Sequence, residues 1–84
     1  MVIDPKRREM FADLYRLAEY YESPPFQPGD IDGNAEWFVE ANNKMLIPFA
    51  QKYAGDQLAI DLALAILEAA NKLGVAANNL QPIL

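Results

Sequence analysis

Eighty-four residues, 52% of them apolar and with a net charge of −5, suffice for one small domain and no more. The chain has no cysteine, no histidine and no threonine, and its only serine is Ser23. That composition excludes disulfides, thiolate and imidazole metal sites, thiol nucleophiles and imidazole bases, and nearly all hydroxyl nucleophiles.

The core has to be marginal, because a chain of this length buries only about 60–65% of the surface it exposes when unfolded. Thirteen alanines also make the apolar share less bulky than its percentage suggests. Met1–Arg8 is followed by an amphipathic stretch and not by the continuous apolar run of a secretory signal, so the expected location is cytoplasmic. The most apolar segment, Leu58–Leu73, is interrupted by Asp61, Glu68 and Lys72, and falls short of the ~20 residues of a membrane span. Twelve acids against seven bases argue against binding to a nucleic-acid backbone. Lys6-Arg7-Arg8 reads as a solvated first turn.

Three helices are expected. The first covers residues 5–22, with Asp4 as its N-cap, Pro5 in the first position, and Pro24-Pro25 ending it. Its apolar stripe is Met10, Leu14, Leu17 and Tyr21, widened by Phe11, Tyr15 and Ala18. Residues 23–33 form a loop around the Pro28-Gly29 turn, with Phe26 and Ile31 pinning it to the bundle. The second helix covers about 35–53, capped near Asn34, with Phe38, Met45 or Leu46, Phe49 and Tyr53 sharing one face. Pro48 should kink or break it near 47–48, giving one bent helix or two short ones. The third covers 57–73, between an Asp56 cap and Gly74. Its ridge of Leu58, Leu62, Ile66, Ala69 and Leu73 runs beside Ala59, Ala63 and Ala70, an arc wide enough to place this helix centrally. The tail, 75–84, shows no pattern long enough to assign. The expected fold is therefore all-α: a three-helix bundle, or four helices if Pro48 splits the second.

The candidate sites are few. Asp30-Ile31-Asp32-Gly33-Asn34 has the alternating oxygens of a calcium loop. However, Pro28 falls at the first ligand position and Val39 where the bidentate glutamate belongs, so an Asx turn entering the second helix is favoured. Pro25-Phe26-Gln27-Pro28 matches P-x-x-P but lacks a flanking base and reads as a rigid connector. The carboxylate pairs Glu36/Glu40 and Glu9/Asp13 lie on polar faces, as solvated pairs do. No two glycines are close enough to cradle a phosphate. Neither a metal nor another cofactor is expected, nor catalysis. In a regular second helix, Trp37, Ala41 and Lys44 align away from the apolar face, with Ile47 drifting towards solvent. That is a candidate partner-binding surface, unless the Pro48 kink or the loop turns Trp37 inwards. Asn42 falls on the apolar face and needs a hydrogen-bond partner. Ala59, Ala63 and Ala70, small and in line, are the candidate face of a homodimer. The expected function is a small acidic protein-interaction module, a regulatory or accessory subunit. The alternative is an acidic inhibitor or nucleic-acid mimic that occupies a basic site on another protein.

Overall fold

The computed structural model describes residues 4–80. It is an all-α bundle with no strand among those residues: α1 Pro5–Glu22, α2 Ile31–Ala41, a π-helical turn Asn42–Leu46, α3 Ile47–Lys52 and α4 Gln57–Asn78. From α2 to α3 the backbone stays helical, so the chain forms three rods. Arg7 of α1 meets Asp56 at the start of α4, and Gly29, just beyond α1, donates its N–H to Ala77 near the end of α4. Thus α1 and α4 run parallel, with the α2–α3 rod antiparallel to both. The third rod is central, since α4 packs against α1, α2 and α3.

The helix starts follow from side-chain caps that satisfy otherwise orphaned N–H groups. Asp4 accepts from Lys6 N–H at 2.8 Å, Asp30 from Gly33 N–H at 3.1 Å, and Asp56 from Ala59 N–H at 3.3 Å. The second rod thus begins at Ile31, not near residue 35, because Asp30 is the cap and Asn34 lies inside the helix. α4 also passes through Gly74 to Asn78, beyond the expected stop at 73. Gly74 is buried, and a Cβ there would sit 3.4 Å from the Phe26 ring. Its role is close approach of an aromatic, not a helix stop. Residues 81–84 of the expected tail lie outside the described residues.

Pro48 changes the helix without breaking it. Its ring would press on the Lys44 carbonyl one turn earlier, and it has no N–H to donate. Immediately before it the ladder widens, and Ile47 N–H donates to Asn42 O, five residues back. The wider turn makes room for the ring. It also rephases the rod, since one extra residue per turn rotates everything beyond it. Inward positions run Asn34, Phe38 and Ala41 before the turn, Met45 within it, and Phe49 and Tyr53 after it. A regular helix would have carried the inner face towards Pro48 and Lys52 instead.

The buried apolar residues are Met10, Leu17, Tyr21, Ala41, Phe49, Ala59, Ala63 and Ala70, half of them alanines. The closest-packed line of α4 is therefore Ala59, Ala63, Ala70 and Gly74, not the leucine ridge. Leu62 and Ile66 are half-buried against this core, while Leu58 and Leu73 are 47% and 49% exposed. Small residues let the α1 and α4 backbones approach, and the leucines flank the seam.

Asn34 is the one buried polar side chain among the described residues, and its amide is fully used. Oδ1 accepts from Gln27 N–H at 2.9 Å, while Nδ2 donates to Gln27 O at 2.9 Å and to Asn78 Oδ1 at 2.8 Å. It ties the 23–30 loop to α2 and to the end of α4.

Ala63→Gln should destabilise the bundle by about 3 kcal/mol or more, since it overfills the seam and buries an unpartnered amide. Leu62→Ala should cost less, about 1–2 kcal/mol, because the side chain is only half-buried. Chemical denaturation midpoints check the order, and equal losses would contradict an alanine seam. Asn34→Ala should cost about 1–3 kcal/mol by leaving Gln27 N–H and Asn78 Oδ1 without their partner, while Gln27 O keeps the Asp30 N–H.

Candidate functional site

The surface assigned to Trp37, Ala41, Lys44 and Ile47 does not exist as a single face. Ala41 is wholly buried. Trp37 is half-buried among aromatics, stacked on Tyr20 at 6.0 Å and edge-on to Phe26 at 5.3 Å and Tyr21 at 5.9 Å. Lys44 is exposed, with its ammonium 5.7 Å from the centre of the Tyr20 ring. Of the four, Ile47 alone presents an apolar side chain to solvent, at 44% exposure. The start at Ile31 and the π turn at 42–46 together rotate this side of the rod inwards. Asn42 finds its partner in Tyr21, whose hydroxyl donates to Oδ1 at 2.7 Å. Burial, and then the neighbouring Tyr20, push the Tyr21 hydroxyl up to about 12.

Ala59, Ala63 and Ala70 are likewise not a free face. They are 0%, 2% and 1% exposed inside the bundle and cannot reach a second copy. Asp30-Ile31-Asp32-Gly33-Asn34 is a cap and a first helical turn, so its carbonyls enter the α2 ladder. Glu36 and Glu40 are exposed on α2. Glu9 and Asp13 are bridged by a cation: Lys52 Nζ donates to Glu9 Oε1 at 2.9 Å and to Asp13 Oδ2 at 2.7 Å, and the Tyr53 hydroxyl donates to Asp13 as well. The Lys52 and Tyr53 hydrogen bonds hold the Asp13 carboxyl below its ordinary 3.8. This cluster ties α1 to α3 and to the turn beyond it.

The residues that stand out lie on the side of α1 and α4 away from the second rod. Along α1, Arg8, Phe11, Tyr15, Ala18 and Glu22 recur at alternating three- and four-residue spacings on one line. Phe11 is 47% and Tyr15 69% exposed. Along α4 the matching strip is Leu58, Leu62, Ala65, Ala69, Leu73 and Ala76, with no charged member. Between the two strips runs an open groove of about 490 Å³, lined by Tyr15, Ala18, Glu19, Ile66, Ala69 and Leu73. The acids and base of α4 (Asp61, Glu68 and Lys72) stand on its outer edge, all exposed. Counting Phe11, Tyr15, Leu58 and Leu73 as core conceals this face. Its signal is the line of Ala59, Ala63, Ala70 and Gly74, which can seat a neighbouring helix without help from the leucines.

The Asp13 cluster carries a pH prediction. A carboxyl depressed in the folded state adds stability above its ordinary value, and that stability is lost as pH falls through the folded one. From about pH 4 to about pH 2 the unfolding midpoint of the wild type should therefore fall more steeply than that of Asp13→Asn. Equal acid limbs in denaturant titrations would refute the role of this carboxylate.

No helix among the described residues is long and apolar enough to cross a membrane. No protein-family model matches the chain, and no curated protein and no solved structure matches it either.

Proposed function

We propose that this protein is a small, acidic, non-catalytic interaction module of the cytoplasm, a regulatory or accessory subunit that works through the open face of α1 and α4. The carrying observation is that Phe11, Tyr15, Leu58 and Leu73 remain 47–69% exposed around an uncharged strip of α4. At 1.5 Å per residue and two helix widths, the face measures about 27 by 20 Å, at the upper end of the ~300–600 Å² of the largest apolar patch on an ordinary monomer, a patch that is often functional. An amphipathic helical surface of another chain is the natural complement of such a face.

The non-catalytic reading rests on the missing imidazole, thiol and threonine groups and on how the carboxylates are engaged. Glu9 and Asp13 hold Lys52, and Asp56 caps α4 while pairing with Arg7 at 3.0 Å. The same engagement weakens the alternative of an acidic mimic, because four of the twelve acids, Glu9, Asp13, Asp56 and Glu68, are already paired with bases of the chain. Neither nucleic acid nor membrane is part of the proposal.

A photo-crosslinking residue at position 15, compared with one at position 68 on the polar strip, tests the proposal in cells that express the protein. Adducts to a protein are expected from position 15 and not from 68, and they should survive raised salt. An absence of adducts at position 15 would overturn the reading. Adducts at 68 that vanish with salt would favour the mimic.

A further inference from the structure

We infer that the chain which covers the α1/α4 face is a second copy of this one, docked antiparallel about a two-fold axis that crosses α1 at Tyr15. The inference rests on the reading of that face as a binding surface, and adds the identity of the occupant.

A closed pair of identical chains requires a patch that complements itself under a two-fold rotation. Two of the three charges at this face meet that requirement, the third being Glu19 at the groove. Arg8 and Glu22 are exposed on the same line of α1 as Tyr15, each seven residues from it on opposite sides. Neither has an ion-pair partner among the described residues. With the axis across the helices at Tyr15, α1 lies on the partner's α1 in the opposite direction. Arg8 of each copy then faces Glu22 of the other, and the two Tyr15 rings meet at the centre.

The α4 strip obeys the same centre. Arg7 pairs with Asp56 at one end, and Tyr15 shares a groove with Ile66 and Ala69, so the level of Tyr15 on α1 corresponds to about residue 65 on α4. Rotation about that level sets Leu58 against Leu73 and Leu62 against Ala69 of the partner. Apolar meets apolar throughout, with a large side chain against a small one at the inner pair. The other in-plane axis, along the helices, would instead lay Arg8 and Glu22 on the uncharged strip of the partner's α4. Two unpaired charges would then be buried, at a cost that disfavours this arrangement.

The area is that of a small interface. A face of about 27 by 20 Å, covered on both copies, removes about 1,100 Å² in total from water, close to the ~1,200 Å² at which stable specific contacts begin.

Sedimentation equilibrium on the full chain, from micromolar to millimolar concentration, gives the mass. The expected result is a species of twice the 9.4 kDa chain mass. Tyr15→Lys, which sets two cations together at the axis, should weaken the dimer by about tenfold or more while leaving the helical circular dichroism unchanged. Arg8→Glu alone and Glu22→Arg alone should each weaken it, and the double exchange Arg8→Glu/Glu22→Arg should restore it. These surface exchanges leave the core intact, so a folding defect cannot mimic the restoration. A 9.4 kDa species at every concentration would overturn the inference. So would a dimer indifferent to Tyr15→Lys, or a double exchange that fails to restore it. A monomer whose position 15 still crosslinks to other proteins would remove the second copy but keep the interaction module. A monomer with no adducts would remove both.

Discussion

The close approach of α1 and α4 along Ala59, Ala63 and Ala70 is the constraint on which the rest of this structure depends. Small side chains bring the two backbones together, and each buries little area itself. Large side chains must then supply the remaining core, and among the described residues the fully buried ones are Met10 and Leu17. The leucines beside the seam cannot enter it, because the space is taken by the approach itself. A seam made of alanine thus produces both a thin core and an apolar flank.

A thin core needs other fastenings, and the polar ones are placed at the two ends of the bundle. At one end Arg7 pairs with Asp56, and Lys52 and Tyr53 reach Glu9 and Asp13. At the other, Asn34 holds Gln27 and Asn78, while Gly29 N–H reaches Ala77 O. The exposed ion pairs are individually weak. The Asn34 amide is different, since it is buried and makes three hydrogen bonds whose loss would leave polar groups without partners. Between the ends, the π turn lets one rod serve both halves of the core. Trp37 and Phe38 join the aromatics of α1 and the loop before the turn, and Phe49 and Tyr53 meet at a tilt with ring centres 4.7 Å apart after it.

Much of the architecture was legible in the chain. Asp4 and Pro5 mark the start of α1, Ser23-Pro24-Pro25 its end, and Asp56 the start of α4, because caps and prolines act locally. The disturbance ahead of Pro48 was legible for the same reason. The direction in which faces point was less so. A helical wheel assumes a constant turn, and the π segment at 42–46 breaks that assumption, so a face phased on Phe49 and Tyr53 beyond it misplaces Ala41 before it, which is buried. On α4 the wheel ranks a face by hydrophobicity, whereas packing ranks it by how near a neighbour can come. Leucine wins the first comparison and alanine the second. The Gly74 signal was misread in a related way: the residue is small to admit Phe26, not to end the helix.

The two roles of the leucine flank are not carried by the same atoms, and that separates stability from association within one face. Leu62 and Ile66 are half-buried against the core cluster, and Ile66 also lines the groove. Shortening either removes contacts from the folded monomer as well as from anything docked on it. Tyr15, at 69% exposure, and Leu58, at 47%, stand further out and give the monomer much less. For the outer residues, burial on association is therefore the main return on their apolar surface. Anything that binds the folded chain and not the unfolded one also raises its stability by mass action. A bundle whose own core is half alanine gains from covering this face in a way that a well-filled bundle would not. The alanine seam, the exposed leucines and the marginal core are then three consequences of one packing decision along α4.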